Sequence, residues 1–261
     1  MRVHLVDLGP RDGLQNEEKI VSPEIRSRLC DRLAAAGVSR VEAASFVNPK
    51  RVPQMAGAEE VMAAIDRRPG TSYAGLVLNE KGYERAVQAG VDEVRYAFPV
   101  TETFARRNQN TSVADATDLA GKLTERARLD GVRVSITLSS AFGDPFEGRV
   151  EPGHVLDIVE KVAQAAPDEI VLADTVGVGV RKGSGSWSGA RSRSGLPSAV
   201  TSTTPATPVW PTPQQPSSRG RRCSTPLSAA RGDVPSHPGR QGTSPPRTSC
   251  TFCAAWATRR G

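Results

Sequence analysis

Short apolar runs alternate with longer amphipathic segments over the first two thirds of the chain. The short runs are bounded by turn-forming residues, which is typical of buried strands, whereas the longer segments repeat apolar residues at helical spacing. Strands are predicted at residues 3–8, 40–46, 72–78, 93–98, 133–138 and 169–174. Helices are predicted at residues 23–36, 58–67, 80–89, 113–130 and 152–166. This alternation predicts an α/β fold built from parallel βα units.

The pattern stops after residue 180. Residues 181–261 are crowded with Ser, Thr, Pro, Gly and Arg and contain long stretches without apolar periodicity. Such a composition buries too little apolar surface to offset the entropy lost on ordering the chain. The sequence therefore predicts a folded domain over residues 1–180 and a low-complexity, disordered segment over residues 181–261.

Charge and hydropathy exclude some partners. The formal net charge is +6, but the arginines of the second segment account for the excess, since the first 180 residues are near balance or acidic. A nucleic-acid partner is therefore not expected. No apolar run approaches the roughly 20 residues of a membrane helix, so no membrane partner is expected either. Met1 leads directly into the first predicted strand, and a cytoplasmic location is the default expectation.

The chain has four cysteines. Cys30 occupies an apolar position of the first predicted helix, and we expect its thiol to be buried and unreactive. Cys250 and Cys253 have the spacing of a redox or zinc pair, but no second pair accompanies them, so they carry little functional weight.

Arg11 and Asp12 follow the first predicted strand, within the segment GPRDGLQNE at residues 9–17. An Asp-Gly step alone marks a tight turn, and a neighbouring Arg-Asp pair is commonly a solvated surface pair. At the carboxyl end of a barrel strand, the same pair offers a cation for an anionic oxygen and a carboxylate for a metal ion.

Two further motifs follow along the chain, and the first of them has two parts. VEAASFVNPK at residues 41–50 is followed by VPQM at residues 52–55, and LADTVGVG lies at residues 172–179. In this order and spacing, the segments resemble the 3-hydroxy-3-methylglutaryl-CoA lyase family, part of a metal-dependent barrel superfamily that includes isopropylmalate synthases, homocitrate synthases and pyruvate carboxyltransferase domains. The resemblance covers residues 3–180 and implies a (β/α)8 TIM barrel. With six strands visible, we expect an incomplete barrel of about six βα units, followed by the disordered tail.

The resemblance implies a catalytic role for residues at the strand ends. Asp12 is expected to be the metal ligand, for Mg²⁺ or Mn²⁺, and Arg11 to stabilise the enolate oxygen of the departing acetyl-CoA unit. Glu42 and Asp174 are expected to orient the substrate hydroxyl or exchange protons near it. The alternative interpretation makes Glu42 and Asp174 simple ion-pair partners or caps.

The remaining implied contacts concern the substrate, an acyl-CoA. Gln15 and Ser45 are expected to bind it. The implied reaction is retro-Claisen cleavage of 3-hydroxy-3-methylglutaryl-CoA to acetyl-CoA and acetoacetate, within leucine degradation and ketone-body metabolism, and intact family members are expected to be homodimers. Asp144 stands where many relatives have cysteine, which leaves room for a larger 3-hydroxyacyl-CoA.

The segment after residue 180 resembles the family again when its reading frame is moved. Residues 201–211 can be encoded by codons that, read one nucleotide earlier, give HFHNTRNTGMA, the family's metal-binding segment. In the same frame, residues 223–226 give VLDA and residues 242–250 give GNIATEDLV, which are also family motifs. A base lost between Val180 and Arg181 is the simplest origin.

With this base lost, other residues stand in the chain at the positions that complete the family's site. Thr201 and Thr203 stand where the resemblance implies two histidine ligands, Val234 where it implies a loop cysteine, and Thr243 where it implies an asparagine ligand. Threonine hydroxyls are poor substitutes for imidazole, and valine has no proton to transfer. Besides the lyase, two interpretations stay open. The chain is a non-catalytic frameshifted fragment, or it is a related acyl-CoA condensing synthase.

Overall fold

The computed structural model describes residues 4–179, 198–202 and 252–255. These residues contain eight strands: β1 (His4–Asp7), β2 (Arg40–Ser45), β3 (Ser72–Val77), β4 (Glu93–Pro99), β5 (Arg133–Ser139), β6 (Glu169–Asp174), β7 (Ser198–Ser202) and β8 (Phe252–Ala255). The helices are α1 (Pro23–Ala35), α2 (Ala58–Ala64), α3 (Glu80–Gln88), α4 (Glu102–Gln109), α5 (Val113–Asp130) and α6 (Pro152–Ala163).

The strands β1 to β6 lie side by side in chain order, and each pairs in parallel with the next. A helix follows each of the first five strands, as in a (β/α)8 barrel. The expected incomplete barrel of six parallel units is confirmed.

Two short strands extend this sheet beyond the expected six. The backbone of β7 pairs in parallel with the edge of β6, in the position of a seventh barrel strand. The backbone of β8 pairs with the other edge, at β1, but runs antiparallel to it. Every strand of a complete barrel is parallel to its neighbours, so β8 does not take the place of the eighth family strand. The sequence predicted neither strand.

The main core lies between the sheet and its helices. It is formed by large side chains that are almost completely buried, including Tyr73, Tyr83, Tyr96, Phe98, Leu123, Ile136, Leu138, Ile170 and Leu172. Helix α5 shows how the sequence builds this layer. Ser112 caps it by accepting the Asp115 N–H at 3.0 Å, and Gly131 ends it in the left-handed conformation at φ 68°.

The sequence missed helix α4. The segment is rich in polar and charged residues, and only Phe104 and Ala105 are buried along its length, so no apolar stripe marks it. Helix α2 is also shorter than predicted, because Ile65, its C-terminal flanking residue, adopts an extended conformation at ψ 127°. Among the described residues, no helix combines the length and apolar character needed to cross a bilayer.

Candidate active site

Arg11 and Asp12 lie directly beyond β1, in a single π-helical turn, Gly9–Gly13. The turn closes on one acceptor, because the backbone N–H groups of Arg11, Asp12 and Gly13 all donate to the Leu8 carbonyl, at 3.2, 2.7 and 3.3 Å. The Gly9 N–H donates to Asp7 Oδ1 at 2.8 Å. These bonds place the Arg11 and Asp12 side chains at the carboxyl end of the first strand, where barrel enzymes place their chemistry.

Arg11 joins two acidic side chains. Its Nη1 lies 2.8 Å from Asp12 Oδ1, and its Nε donates to Glu42 Oε1. The side chains of Arg11 and Glu42 are 12% and 2% exposed, whereas that of Asp12 is 25% exposed. The guanidinium is therefore anchored at its buried side, and the carboxylate of Asp12 keeps access to solvent.

A β-bulge in β2 brings Glu42 and Ser45 to one face of the sheet. Glu42 pairs with Ala74 and Ser45 pairs with Leu76, while the register shifts between Glu42 and Ala44. Ala74 and Leu76 are two positions apart on β3 and point the same way, so their partners also share a face although they are three positions apart. Simple alternation would have placed Ser45 on the opposite face from Glu42.

Ser45 and Gln15 were expected to contact substrate. Ser45 is 1% exposed, and its hydroxyl has no hydrogen-bond partner among the described residues. A buried hydroxyl without a partner is energetically costly. Gln15 follows the π-helical turn and is half-buried. Their role in substrate binding stays a prediction.

Ion pairs continue from Glu42 into the barrel interior. Glu42 Oε2 lies 3.4 Å from Arg95 Nη1, and Arg95 Nε lies 3.0 Å from Glu93 Oε1. Arg40 then bridges Glu93 at 2.7 Å and Glu169 at 2.8 Å. The full set, called here the interior ion-pair series, comprises Asp12, Arg11, Glu42, Arg95, Glu93, Arg40 and Glu169.

The charges in this series alternate in sign, and each buried carboxylate has a cation beside it. Burial by itself would raise the pKa of Glu93, but Arg95 and Arg40 outweigh burial and lower that pKa to about 2. Burial likewise opposes the charge of Arg40, while Glu93 and Glu169 raise its pKa. The interior of this barrel is therefore ionic at its centre, with a small apolar cluster of Val6, Leu8 and Val171 beside it.

The sequence did not reveal Arg95. A signal was present, because Glu93 and Arg95 are two residues apart in an otherwise apolar strand and so share one face. Their partners, however, come from other strands, and spacing along one strand cannot identify them.

Asp174 ends β6 and is 4% exposed. Its carboxylate accepts the N–H groups of Val178 at 3.1 Å and Gly179 at 2.8 Å, which fastens the loop carrying the third motif. Gly179 is required by this contact, since a Cβ there would lie 2.8 Å from Asp174 Oδ2. These bonds are those of a cap, and the catalytic role expected for Asp174 stays a prediction.

Asp144 has a structural position. Its Oδ2 accepts the Thr101 hydroxyl at 2.6 Å, and its Oδ1 accepts the N–H groups of Phe146 and Glu147 at 2.7 and 2.8 Å. The side chain thus joins the end of β4 to the loop after β5. Both of its carboxylate oxygens therefore accept hydrogen bonds from neighbouring protein groups.

A metal centre needs several ligand side chains placed together. The described residues contain no group of three or more His, Cys, Asp or Glu side chains placed to hold a metal ion. Asp12 therefore does not constitute a metal centre with its described neighbours. Thr201 lies in β7, where its backbone pairs with Ala173, and Thr203, Val234 and Thr243 lie outside the described residues.

Residues 2–184 match the HMGL-like family model. The chain is 44% identical over 178 residues to the 3-hydroxy-3-isohexenylglutaryl-CoA/hydroxy-methylglutaryl-CoA lyase of Pseudomonas aeruginosa, a match that covers 68% of this chain and 59% of that protein. It is 42% identical to the mitochondrial hydroxymethylglutaryl-CoA lyase of Mus musculus, over 68% of this chain and 55% of that protein. The chain thus spans less than two thirds of the length of these curated relatives.

Solved structures of hydroxymethylglutaryl-CoA lyases have a fold similar to that of this chain. The hydroxymethylglutaryl-CoA lyase of Pseudomonas aeruginosa superposes with a TM-score of 0.71 at 39% identity, over 77% of this chain and 68% of that one. The HMG-CoA lyase of Bacillus subtilis superposes with a TM-score of 0.74 at 30% identity, over the same shares. Fold and site thus define an incomplete barrel of parallel strands with an Arg-Asp-Glu centre beyond the carboxyl end of β1. The chain belongs to the HMGL-like family.

Proposed function

We propose that the site cleaves 3-hydroxy-3-methylglutaryl-CoA to acetyl-CoA and acetoacetate, or performs the same cleavage on a related 3-hydroxyacyl-CoA. The single observation that supports this most directly is the Arg11 guanidinium held between Asp12, beyond the carboxyl end of β1, and Glu42, in the middle of β2. The lyase names of the relatives support the reaction class. An Acinetobacter baumannii relative, 29% identical, was solved with coenzyme A and 3-methylmalate, which supports an acyl-CoA substrate.

The chemistry needs three events. The tertiary hydroxyl loses a proton, the bond between the carbinol carbon and the thioester methylene breaks, and the resulting enolate takes up a proton. Arg11 supplies a fixed cation for the enolate oxygen, because Glu42 holds its Nε and leaves the rest of the guanidinium near the strand ends. Glu42 and Asp174 are the carboxylates proposed to orient the hydroxyl or exchange its proton.

A divalent cation forms part of the proposal. Members of this family are metal-dependent, and Asp12 is the described carboxylate best placed to contribute a ligand, since a quarter of its side chain is exposed. Carboxylate oxygens suit Mg²⁺ and Mn²⁺. The histidines and asparagine that would complete the ligand set are those that the family segments encode when the reading frame after residue 180 is moved, as proposed from the sequence. We propose that the chain as written is impaired for this reason.

The test compares the chain as written with a frame-restored chain whose first 180 residues are unchanged. Each is incubated with 3-hydroxy-3-methylglutaryl-CoA and Mg²⁺ or Mn²⁺, and acetyl-CoA and acetoacetate are quantified. We expect turnover by the frame-restored chain and little or none by the chain as written. Arg11→Met in the active form should lower kcat by about 100-fold or more, as loss of an oxyanion-stabilising group does. Arg67→Met, which breaks the exposed pair with Asp92, is the matched control.

The choice of substrate can be examined in the same assay. The Pseudomonas aeruginosa relative carries both isohexenylglutaryl and methylglutaryl substrates in its name. Comparing kcat/KM for the two thioesters decides between them. A frame-restored chain that is inactive with both would contradict the proposal and favour the non-catalytic fragment.

A further inference from the structure

Arg95 lies beneath the candidate site, one step further into the barrel than Glu42. Its side chain is 6% exposed, and it contacts two carboxylates, Glu42 Oε2 at 3.4 Å and Glu93 Oε1 at 3.0 Å. Glu42 therefore has one cation on each of its oxygens: Arg11 on Oε1 and Arg95 on Oε2. Nothing in the proposed reaction uses Arg95 directly.

The two cations on Glu42 constrain its geometry. A guanidinium and a carboxylate that have only each other prefer to form two parallel hydrogen bonds. If Glu42 lacked Arg95, its second oxygen would be buried without a partner, and it would draw a second hydrogen bond from Arg11. The guanidinium would then rotate, and its Nη1 would leave Asp12, which it now contacts at 2.8 Å.

We propose that Arg95 is a positioning residue: by holding one oxygen of Glu42, it keeps the other on Arg11 Nε and so fixes the Arg11 guanidinium toward Asp12. Arg40 makes a useful comparison. It belongs to the same interior ion-pair series and is similarly buried, but it bridges Glu93 and Glu169 and does not touch Glu42. Arg95 and Arg40 therefore contribute similarly to the interior charge balance, and only Arg95 acts on the site.

The first test uses the chain as written and needs no activity. The side-chain Nε–H resonance of Arg11, assigned by its loss in Arg11→Lys, is recorded in a nitrogen-15 spectrum of the parent, Arg95→Met and Arg40→Met. We expect Arg95→Met to shift this resonance and Arg40→Met to leave it in place. Arg95→Lys, which keeps the charge without the planar fork, should give an intermediate position. If Arg95→Met does not fold, Arg95→Lys takes its place. An Arg11 resonance that moves equally in the Arg95 and Arg40 variants would overturn the inference.

The second test rests on the proposed function and uses the frame-restored chain. Arg95→Met should lower kcat by about tenfold or more and change KM by less than about threefold, because it misplaces Arg11 without removing substrate contacts. In a Glu42→Gln background, the same substitution should cost less than about twofold, since interactions that work through one another are not additive. Arg40→Met should keep kcat within about twofold of the parent.

The outcomes separate the two proposals. An inactive frame-restored parent contradicts the proposed function, while the Arg11 resonance still decides the positioning role. An active parent in which Arg95→Met and Glu42→Gln act additively contradicts the positioning role and leaves the function standing. Unfolding midpoints of Arg95→Met and Arg40→Met are measured alongside. If the role of Arg95 were purely structural, kcat would fall in both variants in proportion to the loss of folded protein.

Discussion

Arg26 Nη1 donates a 2.9 Å hydrogen bond to the Gln54 carbonyl, and through it a helix on the outside of the barrel holds the loop beyond β2. Arg26 is completely buried in α1, and its Nη2 also donates to the Ala56 carbonyl at 2.6 Å. Gln54 in turn donates through Nε2 to the Glu17 carbonyl at 3.3 Å. The loops beyond β1 and β2, which carry the first two family motifs, are thereby linked.

The first prediction concerns this arginine. Arg26→Met should leave the two loop carbonyls without their charged donor and lower the free energy of unfolding by about 1–3 kcal/mol, since both hydrogen bonds are only partly buried. Hydrogen exchange at the Met55 and Ala56 amides should become faster than in the parent. Arg32→Met, on the exposed face of the same helix, is the control and should change neither quantity. Unchanged exchange in the loop would show that Arg26 does not hold it.

Stability should fall in acid because of Glu93. Its pKa is held at about 2 by Arg95 and Arg40 against the effect of burial, so the carboxylate binds protons less readily in the folded than in the unfolded chain. A depressed folded pKa gives stability that is present above the unfolded value, near 4.5, and is lost as the pH falls toward 2. The loss from this group is on the order of 3 kcal/mol.

Urea unfolding between pH 7 and pH 2.5 measures this dependence. Glu93→Gln should be less stable than the parent at pH 7, because two arginines lose their partner, and its stability should change less with pH. Glu84→Gln, which removes an exposed partner of Arg126, serves as the control. Parallel pH profiles for the parent and Glu93→Gln would rule out this role for Glu93.

Cys30 should be inert in the folded protein. The residue is completely buried, and burial, followed by the neighbouring Asp31, raises the pKa of its thiol to about 12. The nucleophilic thiolate is therefore rare at neutral pH, and reagents cannot reach it. Iodoacetamide labelling at pH 8, with peptide mapping to separate Cys30 from the other cysteines, should modify it only in denaturant. Rapid native labelling of Cys30 would mean that α1 opens readily.

The sequence predicted the main strands of this fold but missed several contacts between them. The six parallel strands follow from apolar runs bounded by turns, and Cys30 lies in the helix where its spacing placed it. Glu42 and Ser45 share a face because of a bulge, and a bulge depends on the pairing of two strands. Arg95 was missed because its partners come from outside its own strand.

The resemblance to a family supplied the candidate site, and the structure added its supports. The structure brings Arg11, Asp12 and Glu42 into direct contact, while Asp174 contacts its own loop and Gln15 has no described partner that defines a role. Periodicity identifies which side chains are buried, but it does not identify which polar groups meet. The ion pairs among β2, β4 and β6 depend on the order of the strands in the barrel.

Asp144 should matter for folding more than for substrate choice. Asp144→Ala would leave the Thr101 hydroxyl and two loop N–H groups without their acceptor, and we expect a loss of about 2–5 kcal/mol in unfolding free energy. Asp144→Asn keeps acceptor capacity and should cost less. The Thr101→Val and Asp144→Ala pair should be non-additive in a double-mutant cycle, because the two side chains share one hydrogen bond. A neutral effect of Asp144→Ala would contradict the anchoring role.

Metal affinity should separate the chain as written from its frame-restored form. Asp12 supplies a single carboxylate, already shared with Arg11 at 2.8 Å, and no described group of three ligands surrounds it. Each missing ligand removes charge neutralisation and chelate geometry, so Mn²⁺ should bind the chain as written with a Kd well above the micromolar range. The frame-restored chain regains its histidines and asparagine and should bind at least about 100-fold more tightly. Calorimetry with Mn²⁺ measures both values. Asp12→Asn in the restored chain should weaken binding again, while Asp66→Asn, at an exposed position after the end of α2, should not. Micromolar binding by the chain as written would mean that residues after position 180 supply ligands in their present frame.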